Sequence, residues 1–188
     1  RRWIPSEKSP FGMSRIVRDA LEEHVPEAHI RSGPELLIST TRLAAFAHDL
    51  ARGSPSIGRA ALAVHSSRDR ADLHDLILAS CTFPPFYARI PRIDGEIHID
   101  GGAADNTLID ALVGRGATHV TVITPHVSGA VYPGLFRALE RPSVPPHVEL
   151  RVIRPSRPLR LKSCDFEPGR REEALTMPDQ GSTYPASV

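Results

Sequence analysis

The chain has 188 residues, 40% of them hydrophobic and 24% charged, and its 23 basic and 22 acidic residues leave a formal net charge of +1. That length suffices for one domain with a sizeable core, and the balanced charge removes any electrostatic case for a nucleic-acid partner. Aromatics make up only 5%, so the core must be built mainly from aliphatic residues and alanine.

In chain order, Ser9-Pro10 is a helix-start signal, a capping hydroxyl followed by proline in the first turn. Met13, Ile16, Val17, Ala20 and Leu21 then recur at helical spacing, with charged residues opposite, and the helix ends near Pro26. The segment 35–41, "ELLISTT", reads as a buried strand. The next, 42–53, fits a helix by its alanines and a strand or loop by its position. A strand is expected at 57–65, followed by a helix over 69–81 with Leu73, Leu76 and Ile77 on one stripe. Pro84 and Pro85 stop that helix.

Asp94-Gly95 lies between two short alternating segments, the pattern of a tight hairpin. Its second strand runs through "IHI" into Asp100, Gly101 and Gly102. Asp105 or Asn106 can cap a following helix, which Gly114 or Gly116 ends. The segment 118–124 reads as a strand buried on both faces, 134–141 as a short helix and 148–155 as a last strand. These elements form one domain over 1–168. The tail, 169–188, is expected to hold one helix at 170–177 and then to fray. Alternating strands and helices predict an α/β fold with a largely parallel sheet, which places Asp100 at a strand end where such folds put their sites.

By spacing alone, "HIDGGAADN" (98–106) is most simply a glycine turn, since Asp-Gly pairs are common turn formers. A calcium loop through Asp100, Asp105 and Asn106 fails on spacing, for it needs alternating acidic positions and a distant glutamate. The surrounding residues supply a third reading. Ala79-Ser80, Phe83-Pro84-Pro85-Phe86, the Asp94-Gly95 hairpin and Asp100-Gly101-Gly102 with Asn106 stand in the order found in the C-terminal part of patatin-like phospholipase catalytic domains, which the chain resembles over about 30–175. Cys81-Thr82 and Thr107-Leu108 depart from the usual pattern.

The resemblance implies a three-layer α/β sandwich, with a mostly parallel sheet and helices on both faces, here incomplete. It implies a serine lipid acyl hydrolase acting through a Ser–Asp dyad, with Asp100 as general base in an Asp-Gly-Gly motif. Asn106 would support the motif; Phe83, Phe86 and Tyr87 could line an acyl-chain pocket beside Asp100 or equally pack the proline turn. Lipid or acyl-ester substrates and a peripheral membrane surface are the implied partners. No cofactor is implied. The segment 151–170, "RVIRPSRPLRLKSCDFEPGR", is similar to the tails of bacterial members, and the expected setting is bacterial, cytoplasmic or peripheral to a membrane.

A serine hydroxyl is a weak nucleophile until a base takes its proton. A carboxylate serves only when held within hydrogen-bond reach in a partly dry site. The nucleophile elbow itself, Gly-x-Ser-x-Gly, does not occur in the sequence. "GMSRI" (12–16) has Ile16 in place of the second glycine and falls within a helix, so Ser14 reads as a surface helix serine. On the family's pattern the elbow and the oxyanion hole are expected upstream of Arg1; the chain also opens without a methionine, as if cut from a longer one. Alone it should be inactive, with an exposed sheet edge that favours self-association. Completion in trans and a non-catalytic interaction or regulatory module are the other readings.

Among the remaining residues, the nine histidines show no metal-ligand spacing, and no metal site is expected. Cys81 and Cys164 form no framework and are expected as buried free thiols. Arg1, Arg2, Arg151, Arg154, Arg157, Arg160, Lys162, Arg170 and Arg171 read as a solvated basic surface, with attraction to anionic lipid as the sharper alternative.

Overall fold

A computed structural model describes residues 13–53, 58, 60–83, 90–125, 127, 144–158 and 179–184. Ser9-Pro10, Phe86, Cys164, the helices expected at 134–141 and 170–177, and Arg1, Arg2, Arg160, Lys162, Arg170 and Arg171 lie outside these residues. The chain divides into two compact units, the first holding the described residues up to Asn106 and the second those from Thr107 onward.

The first unit opens with helices α1 (Met13–His24) and α2 (Glu27–Ser32). Its sheet comprises β1 (Leu37–Arg42), β2 (Leu62–Ser66), β3 (Arg92–Ile93) and β4 (Glu96–Asp100) in the order β2-β1-β4-β3. Segment 42–53 resolves as helix α3 (Leu43–Ala51), where alanine propensity decides. Helix α4 (Leu73–Ser80) carries the expected stripe. Leu73, Leu76 and Ala79 are fully buried and pack with Ile38 of β1 and Ile93 of β3, while Ile77 packs at the edge of the cluster. Each fully buried leucine contributes about 1.5–3 kcal/mol of transfer free energy. The hairpin forms as expected. Asp94 (φ 52) and Gly95 (φ 84) both take positive φ, as a two-residue primed turn demands. Arg70 fixes it from outside by bonding both Asp94 and Asp72.

The sheet of this unit is not mostly parallel. All three of its strand pairs are antiparallel, so the fold is mixed α/β while the expected mostly parallel sheet does not form here. β1 runs into α3 with no intervening residue, and so lacks the turn that a parallel crossover needs before its helix. β2 starts at Leu62 rather than near 57. Gly58 (φ +89) lies in a turn where an added Cβ would press on the Ala104 backbone at 3.1 Å.

The second unit contains α5 (Ile109–Gly114), β5 (His119–Ile123), β6 (Glu149–Pro155) and β7 (Asp179–Tyr184), its strands in the order β5-β6-β7. β5 and β6 are parallel, the one such pair among the described residues, and β7 joins β6 antiparallel. Residues 179–184 are therefore paired strand rather than a fraying end. The core collects Ile109, Val120, Val122, Val144, Val148, Leu150 and Val152.

Three expectations change here. β5 is buried on one face only, since Val120 and Val122 turn inward while His119, Thr121 and Ile123 are exposed, Ile123 by 78%. An edge strand in a three-stranded sheet covered on one face alternates in this way. Neither Asp105 nor Asn106 caps α5, because the helix begins one residue after Leu108, which takes a left-handed conformation. Finally, Arg154 is buried in β6, so the basic residues are not uniformly a solvated surface.

Candidate active site at the end of β4

Asp100 is the last residue of β4 and pairs across the sheet with Thr40. Its backbone is held from two sides. Its N–H donates to the Thr82 carbonyl (2.7 Å), just past the end of α4. Its carbonyl accepts from Thr41 Oγ1 (2.8 Å), a hydroxyl that also lies 3.4 Å from the Gly101 carbonyl. Thr82 is itself fixed, since its hydroxyl donates to the Leu78 carbonyl (2.7 Å).

The chain then enters a single 3-10 turn, Gly101–Ala103, with Asp100 as its cap. The Gly102 N–H donates to Asp100 Oδ1 at 2.7 Å. The turn reading and the carboxylate reading thus meet in one side chain, whose Oδ1 closes the turn. Its Oδ2 has no hydrogen-bond partner among the described residues.

A Cβ would collide at either glycine, with backbone at Gly101 but mainly with a side-chain end at Gly102. At Gly101 a Cβ would fall on the hydroxyl and carbonyl oxygen of Ser39, and at Gly102 on the side-chain oxygen of Asn106. Asn106, expected as a supporting residue, therefore does lie against the motif, on its Gly102 side. Phe83 is half-buried and follows Thr82, the residue that holds the Asp100 N–H.

Burial raises the Asp100 pKa above the usual carboxylate value, and the Gly102 N–H opposes this only in part. The carboxylate is thus a stronger base than one in water. Cys81 lies close enough to feel it, for its thiol is pushed up first by desolvation and second by the Asp100 charge. Cys81 still presents surface to solvent and is a free thiol, not the buried one expected.

Sequence reasoning read Cys81 only as a buried free thiol and passed over Thr40 and Thr41. The available signals were the position of Cys81 directly after Ala79-Ser80 and the two threonines that follow the apolar start of "ELLISTT".

Beside Asp100 on the sheet is a buried polar cluster. Thr40 Oγ1 lies 2.8 Å from His65 Nε2 and 2.8 Å from His98 Nδ1, so one hydroxyl bridges histidines on β2 and β4. Desolvation lowers the pKa of both rings, which fits satisfied core histidines. Among the described residues no three His, Cys, Asp or Glu side chains are grouped to hold a metal ion. Ser14 lies in α1, but its hydroxyl is shielded from solvent and without a partner among the described residues, so it is not a surface serine.

The sequence matches the family model described as patatin-like phospholipase over residues 3–113, a span that includes the Asp-Gly-Gly motif and the segments leading to it. No curated protein and no solved structure matches the chain.

Proposed function

This chain belongs to the patatin-like phospholipase family, and we propose that it supplies the general base of a lipid acyl hydrolase, Asp100. The observation that carries this reading is a half-buried carboxylate of raised pKa at a strand end, with Oδ1 tied to Gly102 and Oδ2 unpartnered among the described residues. In the proposed reaction Oδ2 takes the proton of a serine hydroxyl as the serine oxygen bonds to the ester carbonyl carbon. The proton then passes to the departing alkoxide as the acyl–oxygen bond breaks. Water then gives a proton to the same carboxylate as its oxygen bonds to the acyl carbon; the bond to the serine oxygen breaks, the serine takes that proton back, and the acid leaves. A pKa raised toward the working pH improves proton transfer in both halves.

No Gly-x-Ser-x-Gly occurs in the 188 residues, so on this reading the nucleophile and the oxyanion donors come from other residues. They are either joined to this sequence or carried by a second chain. The strands bearing the elbow would complete the layered sandwich by adding to a sheet edge that has no partner strand among the described residues. Substrates are lipid or acyl esters presented at a membrane surface.

The test is hydrolysis of an acyl ester by this chain joined to, or mixed with, a family segment that carries the elbow. Activity that appears only in combination, and falls by about 10²–10⁴ with Asp100→Ala, is the expected result. Equal rates for wild type and the Asp100→Ala variant would remove Asp100 from the mechanism. No activity in either combination would favour a non-catalytic module.

A further inference from the structure

β5 (His119–Ile123) is an edge strand of the second unit, with β6 on one side and no strand on the other among the described residues. Its two ends show which backbone groups face the open side. The Glu149 N–H donates to the Thr118 carbonyl (2.8 Å), and the Thr124 N–H donates to the Ile153 carbonyl (3.1 Å). Even-numbered residues of β5 therefore turn their backbone groups toward β6. The odd-numbered His119, Thr121 and Ile123 turn theirs outward.

This edge carries none of the features that keep sheet edges apart. It has no proline, no lysine, arginine or acidic residue, and an unbroken register from His119↔Glu149 to Ile123↔Ile153, so no bulge twists it away. Its outer face is bare as well, with Ile123 78% exposed. The other edges offer less. β3 has two residues, β2 has no exposed residue, and β7 includes Asp179 and Gly181, both poor strand formers.

We propose that β5 pairs antiparallel with β5 of a second copy of this chain, about a two-fold axis at Thr121. An identical strand meets itself in a closed contact only when the pairing is symmetric, and outward backbone groups must face outward groups. Centring the pair on Thr121 satisfies both conditions and pairs all five residues of the strand. His119 then faces Ile123 of the second copy and Thr121 faces its own counterpart, each such pair exchanging both backbone bonds. Val120 meets Val122 of the second copy on the core face, so the two valine-lined cores join edge to edge. On the other face His119 covers part of the exposed Ile123. Like charges do not meet, because Glu149 and Arg151 stand on β6, one strand away from the contact. A contact of this size lies at the weak end of specific interfaces, with a Kd on the order of 10–100 µM. The pairing stands whether or not Asp100 is a base.

Sedimentation equilibrium of the 188-residue chain at pH 7.5, from about 5 to about 500 µM, tests it. The mass should rise from 20.5 kDa toward twice that value and no further. Hydrogen exchange over the same range locates the contact. The outward amides of His119, Thr121 and Ile123 should exchange about three- to sevenfold more slowly at the top of the range than at the bottom. Those of Val120 and Val122, already bonded to β6, should change little. Thr121→Pro removes an outward N–H and no bond to β6, so the monomer tolerates it, and it should weaken the dimer by about tenfold or more. Ile123→Lys, a charge placed on the open edge, should do the same. Leu50→Lys, at a leucine 46% exposed in the first unit, should leave the dimer unchanged.

A chain that stays monomeric throughout leaves the edge to a strand of some other polypeptide and overturns the proposal. So does a dimer whose outward β5 amides gain no protection, one that survives Ile123→Lys, or one that Leu50→Lys dissolves. Growth beyond the dimer also overturns it, because a two-fold pairing closes. Should Thr121→Pro fail to fold, Ile123→Lys and the exchange of the wild-type chain still decide.

Discussion

The hydroxyl of Thr41 donates to the carbonyl of Asp100 at 2.8 Å from the neighbouring strand and also lies within 3.4 Å of the Gly101 carbonyl. Thr41 is fully buried, so neither carbonyl can turn to water at that point if the hydroxyl is removed. Thr41→Val keeps the shape and loses the donor. It should destabilise the first unit by about 1–3 kcal/mol, the cost of a buried unsatisfied acceptor, and Thr41→Ser should recover most of it. Urea unfolding of the two variants beside wild type measures this directly. Equal midpoints for Thr41→Val and wild type would mean that the hydroxyl does not hold the turn.

The two glycines after Asp100 should differ in their response to alanine. A Cβ at Gly101 meets the Ser39 backbone carbonyl, which belongs to β1 and cannot move without disturbing the strand pair. A Cβ at Gly102 meets the end of the Asn106 side chain, which is exposed and can swing away. Gly101→Ala should therefore cost about 3 kcal/mol or more, and Gly102→Ala about 1 kcal/mol, within the range for overpacking. Thermal melts that ranked them the other way would contradict the packing described for β1.

How far the sequence could be read follows from these contacts. The Asp94-Gly95 turn and the α4 stripe were legible because local chemistry determines them: positive φ at two residues in the first case, a 3.6-residue period in the second. Asp100 at a strand end was legible too, because it follows directly from the hairpin.

Strand direction was not legible. Whether β2 lies parallel or antiparallel to β1 depends on the path through α3 and residues 52–61, and hydrophobic period carries no information about it. The same limit hid the Thr40 bridge. Its histidines stand 25 and 58 residues away, joined only by strand register. The one-sided burial of β5 was missed for a related reason, since an apolar run looks alike at a sheet centre and at an edge.

The Thr40 bridge predicts a pH dependence of stability. Desolvation depresses the pKa of His65 and His98 in the folded state, so both favour the neutral ring. The charged groups that act on them pull in both directions: Arg70 and Arg42 oppose protonation, while Asp94, Asp72 and Glu96 favour it. An imidazole in the unfolded chain takes a proton near pH 6.5. Stability from the pair is thus fully present above about pH 6.5 and is lost as pH falls below it toward the folded-state values. Protonating the ring nitrogen that accepts from Thr40 also leaves that hydroxyl without its acceptor. Melting temperature should fall between pH 7.5 and 5.5, and His65→Asn should flatten the slope. A wild-type profile that is level over this window would show the bridge to be energetically silent.

Asp100 should show the opposite sign. Its folded-state pKa is raised, mainly by burial, so the folded chain holds the proton more tightly than the unfolded chain does. As pH rises past about 3.9, where an unfolded aspartate ionises, folding increasingly bears the cost of burying the charge, and by neutral pH that cost is complete. Asp100→Asn removes the charge and keeps an oxygen for the Gly102 N–H. At pH 7 the variant should melt above wild type, and near pH 3.5 the two should converge. In an elbow-complemented assay the same substitution should lower ester hydrolysis by about 10²–10⁴. Stability gained where activity is lost is the mark of a carboxylate kept for chemistry. A variant that is less stable than wild type at pH 7 would instead make Asp100 a structural cap, retained for its turn.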